Sequence, residues 1–220
     1  MKLKKIIAGI MTTVMITGVS AVLAEKVETP EENLMRYGII EGDADGDLRL
    51  EDNITRAEFA KIVCIIKGMS AEESESADTV FPDVSIDHWA SGYINIVQGL
   101  GIINGYEDGT FRPEENITNA EAVKMLVVAL GYEPFAADNG GYPNGYMMAA
   151  SRFGVLENVT LVFDKPATRK DAFTLVYNSL GTPIMEQTTY GPDPEYVIMN
   201  GENGIPLVTL RTLSGFEENE

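Results

Sequence analysis

Arg56 and Arg169 stand where a helix disfavours a cation. Each follows a threonine, Thr55 or Thr168, that opens a helical pattern, and each is followed two residues later by an acid, Glu58 or Asp171. The start of a helix carries partial positive charge and unpaired backbone N–H groups, so an arginine there is mildly unfavourable and an anion is welcome. A guanidinium beside such N–H groups makes a receptor for a carboxylate or phosphate, which arginine can grip with two hydrogen bonds. The competing reading is pairing with a neighbouring acid, since the chain has 34 Asp plus Glu against 16 Lys plus Arg. Trp89, the only tryptophan, and Tyr142 offer flat faces that could stack on sugar rings or fill a core. With one His and one Cys, a Cys/His zinc cage and a CxxC redox pair are excluded, and no motif places a nucleophile beside His88. Cys64, within an apolar run, reads as a buried core residue.

These residues recur within an internal repeat. Gly38 to Gly68 lies on Gly101 to Gly131 without a gap, with roughly half the positions identical. A third copy is weaker: Trp89 to Gly101 aligns with Tyr142 to Gly154, and Thr168-Arg169-Lys170-Asp171 matches Thr118-Asn119-Ala120-Glu121. Each copy predicts a first helix ending at a glycine, a turn-rich loop, and a second helix opened by a Thr-to-acid capping box, with Asp171 reaching less well than Glu58 or Glu121. The second helices are apolar on nearly every face, Val123 to Leu130 most of all, and belong at the centre of the domain. Three such units, each too small to bury its own face, predict a mainly α fold: three helix-loop-helix repeats in a pseudo-threefold bundle. The expected boundaries are 25–70 (repeat 1, truncated at its front), 79–132 (repeat 2) and 138–181 (repeat 3). Asn119 replaces arginine in the second copy, so fewer competent sites than repeats are expected.

The formal charge is -18, which repels polyanions and argues against nucleic acid as a partner. Lys2, Lys4 and Lys5 followed by an apolar stretch to Val22 read as a secretory signal, residues 1–24, cut after Ala24. Its removal takes away three lysines and no acid, leaving -21, and leaves no segment that would hold the chain in a membrane. Glu41, Asp43, Asp45, Asp47 and Asp52, with Gly46 at the sixth place and Leu48 at the eighth, resemble a calcium loop of the EF-hand or dockerin type, although Glu41 stands where aspartate is usual. Calcium is therefore the one candidate cofactor. After Gly181 the prolines at 183, 192 and 194 read as a linker within 182–220, with a candidate β-hairpin (Tyr196 to Met199 against Leu207 to Leu210) and an acidic tail.

Phe81-Pro82-Asp83-Val84, His88-Trp89-Ala90, Gly101-Ile102-Ile103-Asn104-Gly105-Tyr106, Asp108-Gly109-Thr110-Phe111-Arg112-Pro113 and Ile54-Thr55-Arg56-Ala57-Glu58 resemble the surface-layer homology (SLH) repeat of bacterial envelope proteins. The resemblance implies a three-repeat helical module that holds exported proteins at the cell surface by binding secondary cell-wall polysaccharide, often pyruvylated, in grooves between repeats. It implies that Arg56, Arg169, Asp83 and Trp89 line those grooves; Tyr142 keeps the aromatic face of Trp89 in the third copy, and the first copy has Lys26 there. The expected function is non-catalytic anchoring to a wall glycan, with association to other envelope proteins as a further expectation. The alternatives are an S-layer-type subunit that assembles with calcium, and a glycan hydrolase working with two carboxylates. The hydrolase is disfavoured because the repeated acids Glu58, Glu121 and Asp171 already cap helices.

Overall fold

The computed structural model describes residues 28–69, 79–199 and 208–216. The signal segment, the turn of the expected hairpin and the acidic tail from residue 217 lie outside them. The helices are α1 (Pro30–Arg36), α2 (Arg56–Ile66), α3 (Ser91–Gly99), α4 (Asn119–Ala129), α5 (Glu133–Asp138), α6 (Asn144–Arg152), α7 (Arg169–Gly181) and α8 (Leu210–Leu213). Two short strands, β1 (Met185–Gln187) and β2 (Tyr196–Ile198), pair antiparallel. The chain is mainly α, as its periodicity predicts.

Three apolar helices, α2, α4 and α7, form the middle. Phe59, Val63 and Ile66 of α2, Val123 and Leu126 of α4, and Phe173, Leu175 and Val176 of α7 are all fully buried, and Cys64 lies among them. Each begins at a threonine whose hydroxyl accepts the N–H three residues on. At Thr55 and Thr118 the glutamate returns the bond to the threonine N–H; at Thr168 the shorter Asp171 does not, so that box is half made. The first helix of each unit packs on the second helix of the unit before it: α3 on α2, α6 on α4, and α1 on α7, which closes a ring. Each first helix ends at a glycine with positive φ, Gly38, Gly101 or Gly154, the left-handed cap that lets the chain turn into its loop.

The ring is locked by backbone bonds at the N-terminal ends of the central helices. The Ile54 N–H donates to the Ala167 carbonyl, Ala167 to Ile117, and Ile117 to Ile54, at 2.9 to 3.1 Å. All three residues are fully buried. The first two N–H groups of each helix then donate to the next loop: Arg56 and Ala57 to Glu115 and Pro113, Asn119 and Ala120 to Lys165 and Phe163, Arg169 and Lys170 to Asp52 and Leu50. Orphan donors of three helices are thus satisfied by carbonyls of three loops.

Described residues after Gly181, read from the sequence as a linker, dock on the bundle. The Met185 N–H donates to the carbonyl of Leu130 at the end of α4, and the Tyr132 hydroxyl donates to the Pro183 carbonyl at 2.7 Å. The Ser214 hydroxyl donates to the Ile66 carbonyl that ends α2, and Leu210 is fully buried. This segment covers the C-terminal ends of the central helices. β2 falls where the sequence suggests, but its strand partner is Met185–Gln187 rather than the stretch near 207–210, whose Leu210 begins α8. Val208 bonds the ends of both strands through Met199 and Ile184.

Candidate functional site: two inter-repeat grooves

Two grooves of nearly equal size, about 300 Å³ and about 340 Å³, open at two of the three junctions of the ring. One is floored by Ile39, Ile40 and Gly42 of the first loop, walled by Glu58, Lys61 and Ile62 of α2, and completed by Arg169 and Trp89. The other is floored by Ile102, Ile103 and Gly105, walled by Glu121, Lys124 and Met125 of α4, and completed by Arg56 and Tyr142. Each groove thus draws on all three units: loop and wall from one, arginine from the preceding unit around the ring, aromatic residue from the following one. The glycine in each floor is required by contact. A β-carbon on Gly105 would sit 2.5 Å from the Phe81 ring, and one on Gly42 would sit 2.5 Å from the Gly46 backbone.

The arginines are held from several sides. Arg56 is 6% exposed; its Nε donates to the Phe111 carbonyl at 2.8 Å, its Nη1 lies 3.2 Å from Glu121 Oε1, and its guanidinium lies over the rings of Tyr106 and Phe111. Arg169 repeats this: Nε to the Leu48 carbonyl at 2.8 Å, Nη1 to Glu58 Oε1 at 2.9 Å, and Phe173 beneath. Each arginine thus pairs with an acid and lines a groove. The expected free N–H groups beside them are absent, because the loop carbonyls take them. Nη2 of each arginine makes no hydrogen bond to a described residue.

Trp89 and Tyr142 are 53% and 51% exposed, one at each groove, so the aromatic faces are available for stacking. His88 lies in the turn before α3, where its Nδ1 accepts the Ala90 N–H and its Nε2 pairs with Glu114 at 2.9 Å, beside the Trp89 ring. Asp83 lines neither groove: its oxygens accept the N–H groups of Phe111 and Arg112 at 2.9 and 2.7 Å. It holds the turn in which Arg112 takes a positive φ and from which Phe111 offers its carbonyl to Arg56. Asp83 is therefore a positioning residue for that arginine.

Sequence reasoning missed Lys61 and Lys124. The gapless alignment puts one on the other, and that was the available signal. Lys61 makes no ion pair with a described residue, and Lys124 lies 5.6 and 5.8 Å from the ring centres of Tyr142 and Tyr146. Glu58 and Glu121, read as caps, are also the arginines' partners. Burial works to raise the Glu121 carboxyl, but the Thr118 N–H, the Tyr106 hydroxyl and Arg56 outweigh it and hold it below its ordinary value. Burial, and then the bond to Glu121, push the Tyr106 phenol up to about 12.

The acidic loop does not converge on a point. Asp43 Oδ1 turns back to accept the N–H groups of Asp45 and Asp47, Asp47 accepts that of Arg49, and Asp52 faces Arg49. Among the described residues no group of three or more His, Cys, Asp or Glu is arranged to hold a metal ion. Among them, too, no helix is long and apolar enough to cross a membrane.

Residues 32–60 and 80–123 match the S-layer homology domain family. This is an S-layer homology domain protein. It is similar to the middle cell wall protein of Brevibacillus brevis (34% identical over 78% of this chain and 16% of that protein) and to the surface layer protein of Brevibacillus choshinensis (32%, over 76% and 15%). A cellulosome-anchoring protein of Acetivibrio thermocellus is 37% identical over 39% of this chain and 19% of that protein. The aligned part of the chain spans only about a sixth of the length of the two Brevibacillus relatives. The SLH match and these relatives give the chain a cell-surface location.

Proposed function

We propose that the chain is a non-catalytic anchor that binds an acidic, pyruvylated accessory polysaccharide of the cell wall in its two grooves. One observation carries this reading: arginine, glutamate, lysine and an exposed aromatic ring, drawn from three separate units, meet twice in the same arrangement. The lysine ammonium and arginine Nη2 supply donors to a carboxylate, and the ring supplies a face for a sugar. Glu58 and Glu121, the acids beside the arginines, stand in different grooves, and each is tied to a helix cap and an ion pair, which takes both away from acid–base work on a glycosidic bond. The test is co-sedimentation of the protein, without residues 1–24, with wall sacculi before and after chemical removal of the accessory polysaccharide. Loss of pelleting after removal is expected; equal pelleting in both samples rejects the reading. The relative named a surface layer protein favours a second reading, a lattice subunit assembled with calcium. Light scattering with and without calcium separates the two, since an anchor stays the same size in both.

A further inference from the structure

The two grooves differ in the charge of their loops. In the Trp89 groove the first loop contributes Glu41, Asp43 and Asp47 against Arg49 and Lys61, and Arg49 faces Asp52 at 3.7 Å. In the Tyr142 groove, Asn104 and Tyr106 take the places of Glu41 and Asp43, and Glu107 is the one acid beside Lys124 that the Arg56–Glu121 pair does not account for. Tyr106 changes more than charge. Its hydroxyl donates to Glu121 at 2.7 Å, and both Arg56 and Arg112 lie over its ring, at 4.5 and 4.0 Å from the centre. In the other groove Asp43 is exposed and tied only to its own loop.

An anion entering the Trp89 groove therefore meets three loop carboxylates in the lining against one loop cation, Arg49, which already faces Asp52, and like charges repel. Those same oxygens are good acceptors for sugar hydroxyls, and an indole offers the broadest stacking face among the aromatic side chains. An anion entering the Tyr142 groove meets Lys124 and Arg56 with most of that opposition removed. We propose that the grooves divide the glycan by charge: the Tyr142 groove takes the acidic sugar residue and the Trp89 groove takes a neutral, hydroxyl-rich one, with the residue at 43 or 106 setting the difference. This rests on the wall-glycan reading above and specifies which groove reads which part.

The test uses one preparation of short wall-polysaccharide fragments in two forms, native and stripped of acidic ketal substituents by mild acid. Titration calorimetry follows total binding, and Trp89 emission follows its own groove, Trp89 being the only tryptophan. Lys124→Ala is expected to weaken binding of the native fragment about tenfold and of the stripped fragment less than twofold. Trp89→Ala is expected to do the reverse. Asp43→Asn is expected to make the Trp89 groove accept the native fragment several-fold better, read as a Trp89 emission change at lower fragment concentration. Equal losses of both forms in Lys124→Ala, or no change of preference in Asp43→Asn, overturn the division while leaving the anchor reading standing. If wild-type protein binds neither form, the anchor reading falls and this one falls with it.

Discussion

Two junctions of the ring keep a full set of side chains and the third keeps only the backbone. Where Arg56 meets Glu121 and Arg169 meets Glu58, the third junction sets Asn119 in the arginine place, Asp171 in the glutamate place and Thr174 in the lysine place. Its backbone bonds are nevertheless intact, with Asn119 and Ala120 donating to Lys165 and Phe163 as at the other two. Asn119 even keeps one bond of the arginine it replaces, Nδ2 to the Val162 carbonyl at 3.0 Å, while its Oδ1 is buried without a partner. The lesson is that fold and binding are separable here. Threefold closure needs only the strand-like N–H and carbonyl pattern before each central helix, whereas a groove needs the long charged side chains as well.

Removing the arginine from a full junction should have the largest effect. Arg56→Ala leaves a half-buried Glu121 without its cation and two rings without their cover, and should destabilise by about 3 kcal/mol in urea unfolding. Asn119→Ala removes a single bond and should cost about 1 kcal/mol. Equal losses would mean that the junctions are not different in kind. Next is binding: Lys124→Ala should weaken sedimentation with sacculi about tenfold, Lys61→Ala should weaken it by less, and Thr174→Ala should leave it unchanged.

Capping should separate the junctions by less. Thr118→Ala breaks a reciprocal box and should cost about 1 kcal/mol; Thr168→Ala breaks a one-way cap and should cost about half that. The smallest effect lies on the acid limb. The Glu121 carboxyl titrates lower in the folded chain than its ordinary 4.5, so it adds stability above that value and loses it as pH falls through the lower, folded one. Glu121→Gln should therefore flatten the drop in unfolding free energy between neutral pH and pH 3; an unchanged drop would remove Glu121 from the account.

Much of this was readable from residue order. The threonine-to-acid spacing marks each central helix, and the glycine ends mark each first helix, because local bonding alone decides both. The replacement of arginine by Asn119 also marked the junction without an arginine–glutamate pair. The free N–H groups expected at the helix ends were misjudged for a non-local reason. Whether the Arg56 N–H is free depends on Glu115, which closes onto it only once the ring forms. The mates of the arginines were hidden in the same way, since Arg169 and Glu58 are 111 residues apart. The C-terminal segment misled because prolines and short apolar runs describe a linker and a docked cover equally well until the ends of α2 and α4 are seen to need donors.

The count of bound glycans tests the central claim most directly. Calorimetric titration of the protein lacking residues 1–24 with a short, size-fractionated fragment of wall polysaccharide should give two sites per chain, falling to one in Lys124→Ala. One site or three in the unsubstituted protein, or two sites that survive Lys124→Ala, would contradict the assignment of binding to the two full junctions.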